Sequence, residues 1–197
     1  MVALLQIIVS IILVVSYFIY LRQTMKDEST PNPGSWIIWF VIMGFNTLTY
    51  FKVTEGDYFK TAIAFAGFVS VTVIMSYALW RGKFAKITTF DVIILLLAII
   101  LGVFWRSTSD DKLTNLLLQF IMLLSFLPTV IGLLQNRLRE KYLPWTVATI
   151  AYVIKTISVP LAQKYSSWEL FFPIINGIIG NGIIVAIIFH KRKKGTE

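Results

Sequence analysis

Seven apolar stretches, at about 2–21, 35–51, 61–80, 90–105, 113–134, 144–161 and 170–190, fill nearly the whole chain, and polar linkers group them three, one, three. Roughly 20 apolar residues at about 1.5 Å of rise each are needed to cross a hydrocarbon core of about 30 Å, where no water satisfies a broken backbone. Each stretch approaches that length, and the second, fourth and sixth are short. A soluble fold is disfavoured on the same grounds. At 57% hydrophobic and 14% charged residues, with a mean hydropathy of +0.77, the chain carries more apolar surface than a soluble domain of this size can bury. The sequence predicts an all-α integral membrane protein of seven transmembrane helices. Its opening stretch has no positively charged start and no small-residue cleavage site before the polar 22–30 segment, so it is expected to be retained.

The net charge of +8 sits in short clusters between the apolar stretches, and the densest, His190-Lys191-Arg192-Lys193-Lys194, directly follows the last one. That placement reads as a topology signal and not as a nucleic-acid surface. A cytoplasmic C-terminus gives that side Arg22, Lys26, Arg81, Lys83, Lys86, Arg137, Arg139, Lys141 and the tail cations, and leaves only Lys52, Lys60, Arg106, Lys112 and Lys164 opposite. The bias predicts N-out, C-in insertion in a plasma membrane. All loops are short, so no soluble domain is expected. The chain has no cysteine, which removes disulfides, thiolate nucleophiles and cysteine metal sites from consideration.

A shift of 109 residues lays the first three stretches over the last three without a gap. Ser16 then falls on Ser125, Trp36 on Trp145, Asn46 on Lys155 and Thr47 on Thr156. The phase of spans and loops carries the repeat more than the sparse identities do. An odd number of spans per copy requires the fourth helix as an inverting linker, so two parallel three-helix bundles are expected, at 1–86 and 110–197, joined by a linker at 87–109.

The segment Ser125-Phe-Leu-Pro-Thr129 resembles the Ser-Phe-Leu-Pro-Gln signature of the PQ-loop superfamily, which includes the SWEET sugar facilitators, and Asn176-Gly-Ile-Ile-Gly180 resembles the Asn-Gly stretch of their last helix. The three-one-three layout and the orientation match as well. The resemblance implies a transporter that moves a small polar solute, sugar or sugar-like, by alternating access. Neither copy keeps an intact Pro-Gln pair, since Ile19 and Tyr20 stand in the first and Thr129 replaces the glutamine in the second. Ala64, Phe65 and Ala66 occupy the neighbourhood of the family's third-helix asparagine. A vitamin or nucleoside carrier of the PnuC type, which shares the architecture, is the alternative.

Polar groups inside spans are costly unless they have partners or line a wet cavity. Lys155 is the one formally charged residue well inside a predicted span, and it reads as a cavity donor or as a side chain that snorkels outward or bonds neighbouring carbonyls. Asn46 and Asn176 offer amide donors and acceptors to a hydroxyl-rich ligand, or glue between helices. Tyr50, Tyr152, Thr47 and Thr156 complete the candidate binding set. Asn181, five residues beyond Asn176, is rotated from it by about 140° at 3.6 residues per turn and reads as packing. Trp36 and Trp145 begin spans, where tryptophan anchors to the membrane interface, and they join Pro128 as gating candidates. Pro128 lies inside a span and predicts a kink or hinge. Gly177, Gly180 and Gly182 read as close-packing positions.

No Asp or Glu falls in the middle of a predicted span, with Asp91 and Glu169 near ends, so downhill facilitated diffusion is expected over proton symport. A desolvated Lys155 is the loophole. A retinal photoreceptor, with Lys155 as the Schiff base, is the rival from another class, but those proteins carry their lysine on the seventh helix beside a carboxylate. With one histidine and no intramembrane carboxylate or cysteine, no catalytic set, metal site or cofactor is expected. Partners are the solute and the bilayer; a monomer holds both bundles, and a homo-oligomer stays open.

Overall fold

The computed structural model describes residues 2–81, 89–162 and 164–193. Lys83, Lys86 and Lys194, counted above for orientation, and the boundary between 86 and 87 lie outside these. The described residues form helices and no strand: α1 (Val2–Met25), α2 (Pro33–Val53), α3 (Tyr58–Arg81), α4 (Thr89–Thr108), α5 (Asp111–Leu124), α6 (Leu127–Leu134), α7 (Tyr142–Ser158) and α8 (Asn181–Lys193). Ahead of α8 run a 3-10 turn, Ser167–Leu170, and a π-helical stretch, Phe172–Gly180.

Five helical runs are long and apolar enough to cross a membrane: Val2–Met25, Ser35–Val53, Tyr58–Arg81, Asp111–Leu134 and Ser167–Lys193. Val92–Thr108 is a shorter apolar helix. α7 has 17 residues, about 26 Å at 1.5 Å per residue, and is the shortest match to a bilayer among the predicted spans. The distribution of side chains is inverted relative to a water-soluble protein. On α1, Leu4, Ile7, Ile11 and Phe18 are exposed, while Gln6, Ser10, Ser16, Tyr20 and Thr24 are buried at helical spacing. Exposed Ile93, Leu96, Ile100 and Val103 do the same on α4. Such surfaces suit hydrocarbon and not water.

Local chemistry sets the ends. Asn32 caps α2 by accepting from the Ser35 amide at 3.1 Å, with Pro33 at the first helical position, where its missing N–H costs nothing. Asp57 accepts from Phe59 and Lys60 amides at the start of α3. Asp110 does so for α5, and Ser166 with Glu169 closes a capping box at the 3-10 turn. The helical runs begin at residues 2, 33 and 58 and again at 111, 142 and 167, so each start recurs at the same 109-residue spacing. α3 packs on both α1 and α2, while α7 packs on the π-helical stretch and α8. Across these groups α1 meets α7 and α2 meets α5, and α4 lies against α2 and α5.

Two irregularities depart from simple spans. The expected fifth span is interrupted at Ser125 and Phe126, because Pro128 has no N–H to continue the ladder and its ring crowds the preceding turn. The Ser125 carbonyl takes instead the Ser35 hydroxyl at 2.8 Å, and that hydroxyl lies 3.1 Å from Thr129 Oγ1. In the last span the π-helical bonding, i to i+5, stacks residues five apart on one side. Asn181 and Asn176 therefore line one pocket, and the 140° separation expected from a 3.6-residue turn does not hold. The Asn181 amide donates to the Asn176 and Gly177 carbonyls at 3.1 and 2.9 Å, satisfying groups that the wide turn displaces.

Gly177 faces the base of the Tyr152 ring and Gly180 faces Phe126, as close-packing positions do, whereas Gly182 has open space around it. Gly177→Ala would drive a methyl into the Tyr152 Cβ and Cγ, next to backbone that cannot yield. Thermal unfolding of the purified protein in detergent should show Gly177→Ala destabilised by about 1–3 kcal/mol. Gly182→Ala should be neutral or raise stability by a few tenths of a kcal/mol up to about 1.

Candidate functional site

Tyrosines and tryptophans three residues apart on the same helix face bring four rings together. Tyr20, Trp36, Trp39 and Trp145 form a closed circuit of ring contacts, with centroids 4.9 Å apart for Tyr20 and Trp36, 5.0 Å for Trp36 and Trp39, 6.0 Å for Trp39 and Trp145 and 5.7 Å for Trp145 and Tyr20. Tyr17, Phe126 and Tyr152 extend the wall, and Asn176 and Asn181 supply its polar part. The free volume inside is about 40 Å³, room for a few waters. Helices from both groups, α1, α2 and α3 on one side and α7 and the π-helical stretch on the other, contribute to it. Trp36 and Trp145 are only 2% and 6% exposed. The interface-anchor expectation is corrected here: the loops preceding them fold over the bundle end, so both indoles point into the protein.

Two polar atoms belonging to lining residues have no hydrogen-bond partner, the Trp39 indole N–H and Asn176 Oδ1. The Asn176 amide nitrogen donates to Gln119 Oε1. Gln119 Nε2 donates to Asn46 Oδ1 at 2.7 Å, and Asn115 Nδ2 reaches Asn46 Oδ1 at 3.0 Å and Thr49 Oγ1 at 2.9 Å. Asn46 thus sits behind Asn176 in an amide chain and does not line the pocket. Its Nδ2 is unpartnered. Asn115 and Gln119 were not singled out from sequence, although their four-residue spacing on α5 signals a shared face.

Lys155 is fully buried, and its ammonium donates to Gln6 Oε1 at 2.6 Å and to the Lys60 carbonyl at 2.8 Å, 5.9 Å from the centre of the Tyr50 ring. It neither snorkels nor lines the aromatic pocket. Tyr50 donates to the Glu169 carbonyl at 3.0 Å. Beside it Lys60 and Glu169, 109 residues apart, form an ion pair at 2.9 Å. Thr47 and Thr156 turn back to the Met43 and Tyr152 carbonyls of their own helices, so neither hydroxyl is offered to a ligand. Pro128 follows the helix break described above. Of the candidate binding residues, then, the pocket gathers Asn176 and Tyr152, together with the gating candidates Trp36 and Trp145, and leaves Lys155, Tyr50, Asn46, Thr47 and Thr156 outside its lining.

These contacts recur in pairs. Gln6 donates to Ser158 at 2.8 Å, as Asn115 does to Thr49. Lys155 meets Gln6 where Asn46 meets Asn115. Ser16 donates to the Pro144 carbonyl at 2.8 Å, where Ser35 donates to that of Ser125. Every partner has its counterpart 109 positions away.

At the Ser16 end of the pocket lies a group that sequence reasoning missed. Glu140, in the loop between α6 and α7, is 4% exposed. Its Oε1 accepts from the Tyr20 hydroxyl at 2.7 Å and its Oε2 from the Trp145 indole at 3.1 Å. A lone acidic residue among Arg137, Arg139 and Lys141 carries no sequence sign of burial. Desolvation pushes its carboxyl up to about 8, against hydrogen bonds from Tyr20, Trp145 and Ser29 that pull it down. The folded protein therefore holds a proton that the unfolded chain releases at an ordinary carboxyl pKa of about 4.5. This stability is fully present at low pH and is lost as pH rises toward and through 8. Between pH 5 and 9 the wild type should lose thermal stability relative to Glu140→Gln, whose profile should lack that slope; parallel profiles would refute the assignment.

No family model, curated protein or solved structure matches the chain.

Proposed function

We propose that the chain is a carrier that moves a small polar solute across a membrane by alternating access. The observation that carries the reading is the aromatic pocket, lined by helices of both groups, with Trp36, Trp39, Trp145, Tyr20 and Tyr152 around the amides of Asn176 and Asn181. A small hollow walled by aromatic rings with a few polar groups is the usual form of a small-molecule site, and two of its residues, Trp39 and Asn176, carry a buried polar atom with no partner in the chain. Stacking on tryptophan and tyrosine faces together with a few hydrogen bonds suits the chemistry of a sugar-like or nucleoside-like solute, which the hollow of about 40 Å³ must widen to admit. The recurrence of contacts at 109 residues supports two three-helix units with α4 as the linker, and the helix break before Pro128 gives the second unit a place to bend.

The proposed topology is seven spans, with α4 and α7 added to the five long apolar runs, the N-terminus outside and the C-terminus cytoplasmic in a plasma membrane. The absence of native cysteine makes it directly testable. Single cysteines at Asn136 and Gly56 should react with a membrane-impermeant maleimide from opposite faces, Gly56→Cys from outside and Asn136→Cys only after permeabilisation. Labelling of both from one side would overturn the topology.

Counterflow in proteoliposomes with a panel of sugars, nucleosides and small acids tests the activity. Asn176→Ala and Trp145→Ala should lose about ten-fold or more of the flux for any solute carried, the scale of one lost buried hydrogen bond or stacking contact. Thr47→Ala should carry normally, since its hydroxyl bonds its own helix. Normal flux in both pocket variants would place the solute path elsewhere.

A further inference from the structure

Building on the carrier reading, we propose that the solute is a small organic cation, an alkylated ammonium, held by the aromatic pocket with Glu140 as its counter-charge. The ring circuit is the first ground. Three of its four junctions are steep, at 75° between Trp36 and Trp39, 67° between Trp39 and Trp145 and 83° between Trp145 and Tyr20. Rings set at steep angles around a hollow are the arrangement that binds ammonium groups, because each electron-rich face attracts a cation that water solvates weakly. No lysine or arginine is among the lining residues.

Glu140 is the second ground, and it is independent of the rings' mutual geometry. Its oxygens accept from neutral donors, the Tyr20 hydroxyl and the Trp145 indole, and a buried carboxyl that holds a proton gives it up when a cation comes near. Glu140 lines a surface recess with Arg139, Lys141, Lys191 and Glu28 and not the hollow itself, to which it is joined by its bonds to Tyr20 of α1 and Trp145 of α7. Its two donors are thus two members of the ring circuit. Hydrogen bonds from Tyr20 O–H and Trp145 N–H to a carboxylate polarise both rings and make their faces better cation acceptors. A cation in the hollow in turn favours the ionised carboxylate against the burial that opposes it. Lys155, the other buried charge, is committed to Gln6 and the Lys60 carbonyl and does not line this hollow.

The remaining polar atoms fit the same solute. An ammonium that also bears a hydroxyl would find the side-chain amides of Asn176 and Asn181 in the same lining. A cation also makes a downhill carrier accumulative, since an inside-negative membrane potential drives it inward with no coupling ion.

The test compares choline with its uncharged carbon isostere, 3,3-dimethylbutan-1-ol, which has the same shape and hydroxyl. Tryptophan fluorescence of the purified full chain should saturate with choline, and the isostere should bind about ten-fold or more weakly. Glu140→Gln should lower choline affinity by a similar factor and leave the isostere unchanged; Tyr20→Phe, which keeps the ring and removes one bond to Glu140, should fall between. Uptake of labelled choline into proteoliposomes should rise when valinomycin sets an inside-negative potential. Equal binding of choline and the isostere to the wild type would overturn the cation site whether or not the variants fold. Sugar or nucleoside counterflow with no choline binding would overturn the inference and leave the carrier standing. Choline binding without flux would support the site and refute the carrier.

Discussion

A polar side chain placed among apolar helices must find its partner within the protein, and here several of the longest-reaching partners lie across the interface between helix groups. Gln6 of α1 reaches Ser158 of α7, and Asn115 of α5 reaches Thr49 of α2. Helices in hydrocarbon gain nothing from hiding apolar surface from lipid, so such bonds and close packing provide the cohesion. Each is worth only about 0.6–2 kcal/mol in a membrane. A seam built from a few of them specifies which helices face each other without locking them, as the proposed rocking of two units would require.

The two sets of contacts share positions but not chemistry. Asn46 and Lys155 stand at equivalent places, one neutral and one charged; Lys60 is matched by Glu169, and their difference makes the ion pair. Gly67, packed against Met43, corresponds to Asn176, whose oxygen is left without a partner. One half thus supplies packing where the other supplies polar chemistry. The aromatic wall is shared, with Trp36 and Trp145 at equivalent positions inside it, so the site combines a common frame with one-sided polarity.

The all-helical, apolar character of the chain and the phase of its helix starts were legible because bilayer thickness and the 3.6-residue turn act on sequence directly. Asn176, Tyr152 and the two tryptophans were also legible as polar or aromatic groups in apolar runs. What remained hidden depended on tertiary geometry. The π-helical widening that brings Asn181 under Asn176 leaves no period in the sequence, and it reverses the facing inferred from a regular helix. Burial of Glu140 depends on the loop turning back over α1, where Tyr20 waits, and nothing in a run of basic residues announces that. Lys155 was found as a buried charge, but its direction is set by Gln6, more than a hundred residues away.

Closure at both ends bears on whether a solute would pass through a pore or be carried. At one end Tyr20, Glu140 and Trp145 tie α1 to α7 and its preceding loop. At the other, Lys60 joins Glu169 and the Lys164 carbonyl, tying α3 to the segment before the last helix. Between them lies a hollow of about 40 Å³, too small to be a continuous water path. Opening either end means parting bonds between units, while the other end keeps its own. If both parted together, Glu140 would lose Tyr20, and Lys60 and Glu169 would lose each other, leaving the aromatic wall and the seam bonds such as Gln6 to Ser158 and Asn115 to Thr49 to hold the units in register. Opening one end at a time costs less, and that difference, built from named polar contacts, fits the proposed carrier better than a channel would.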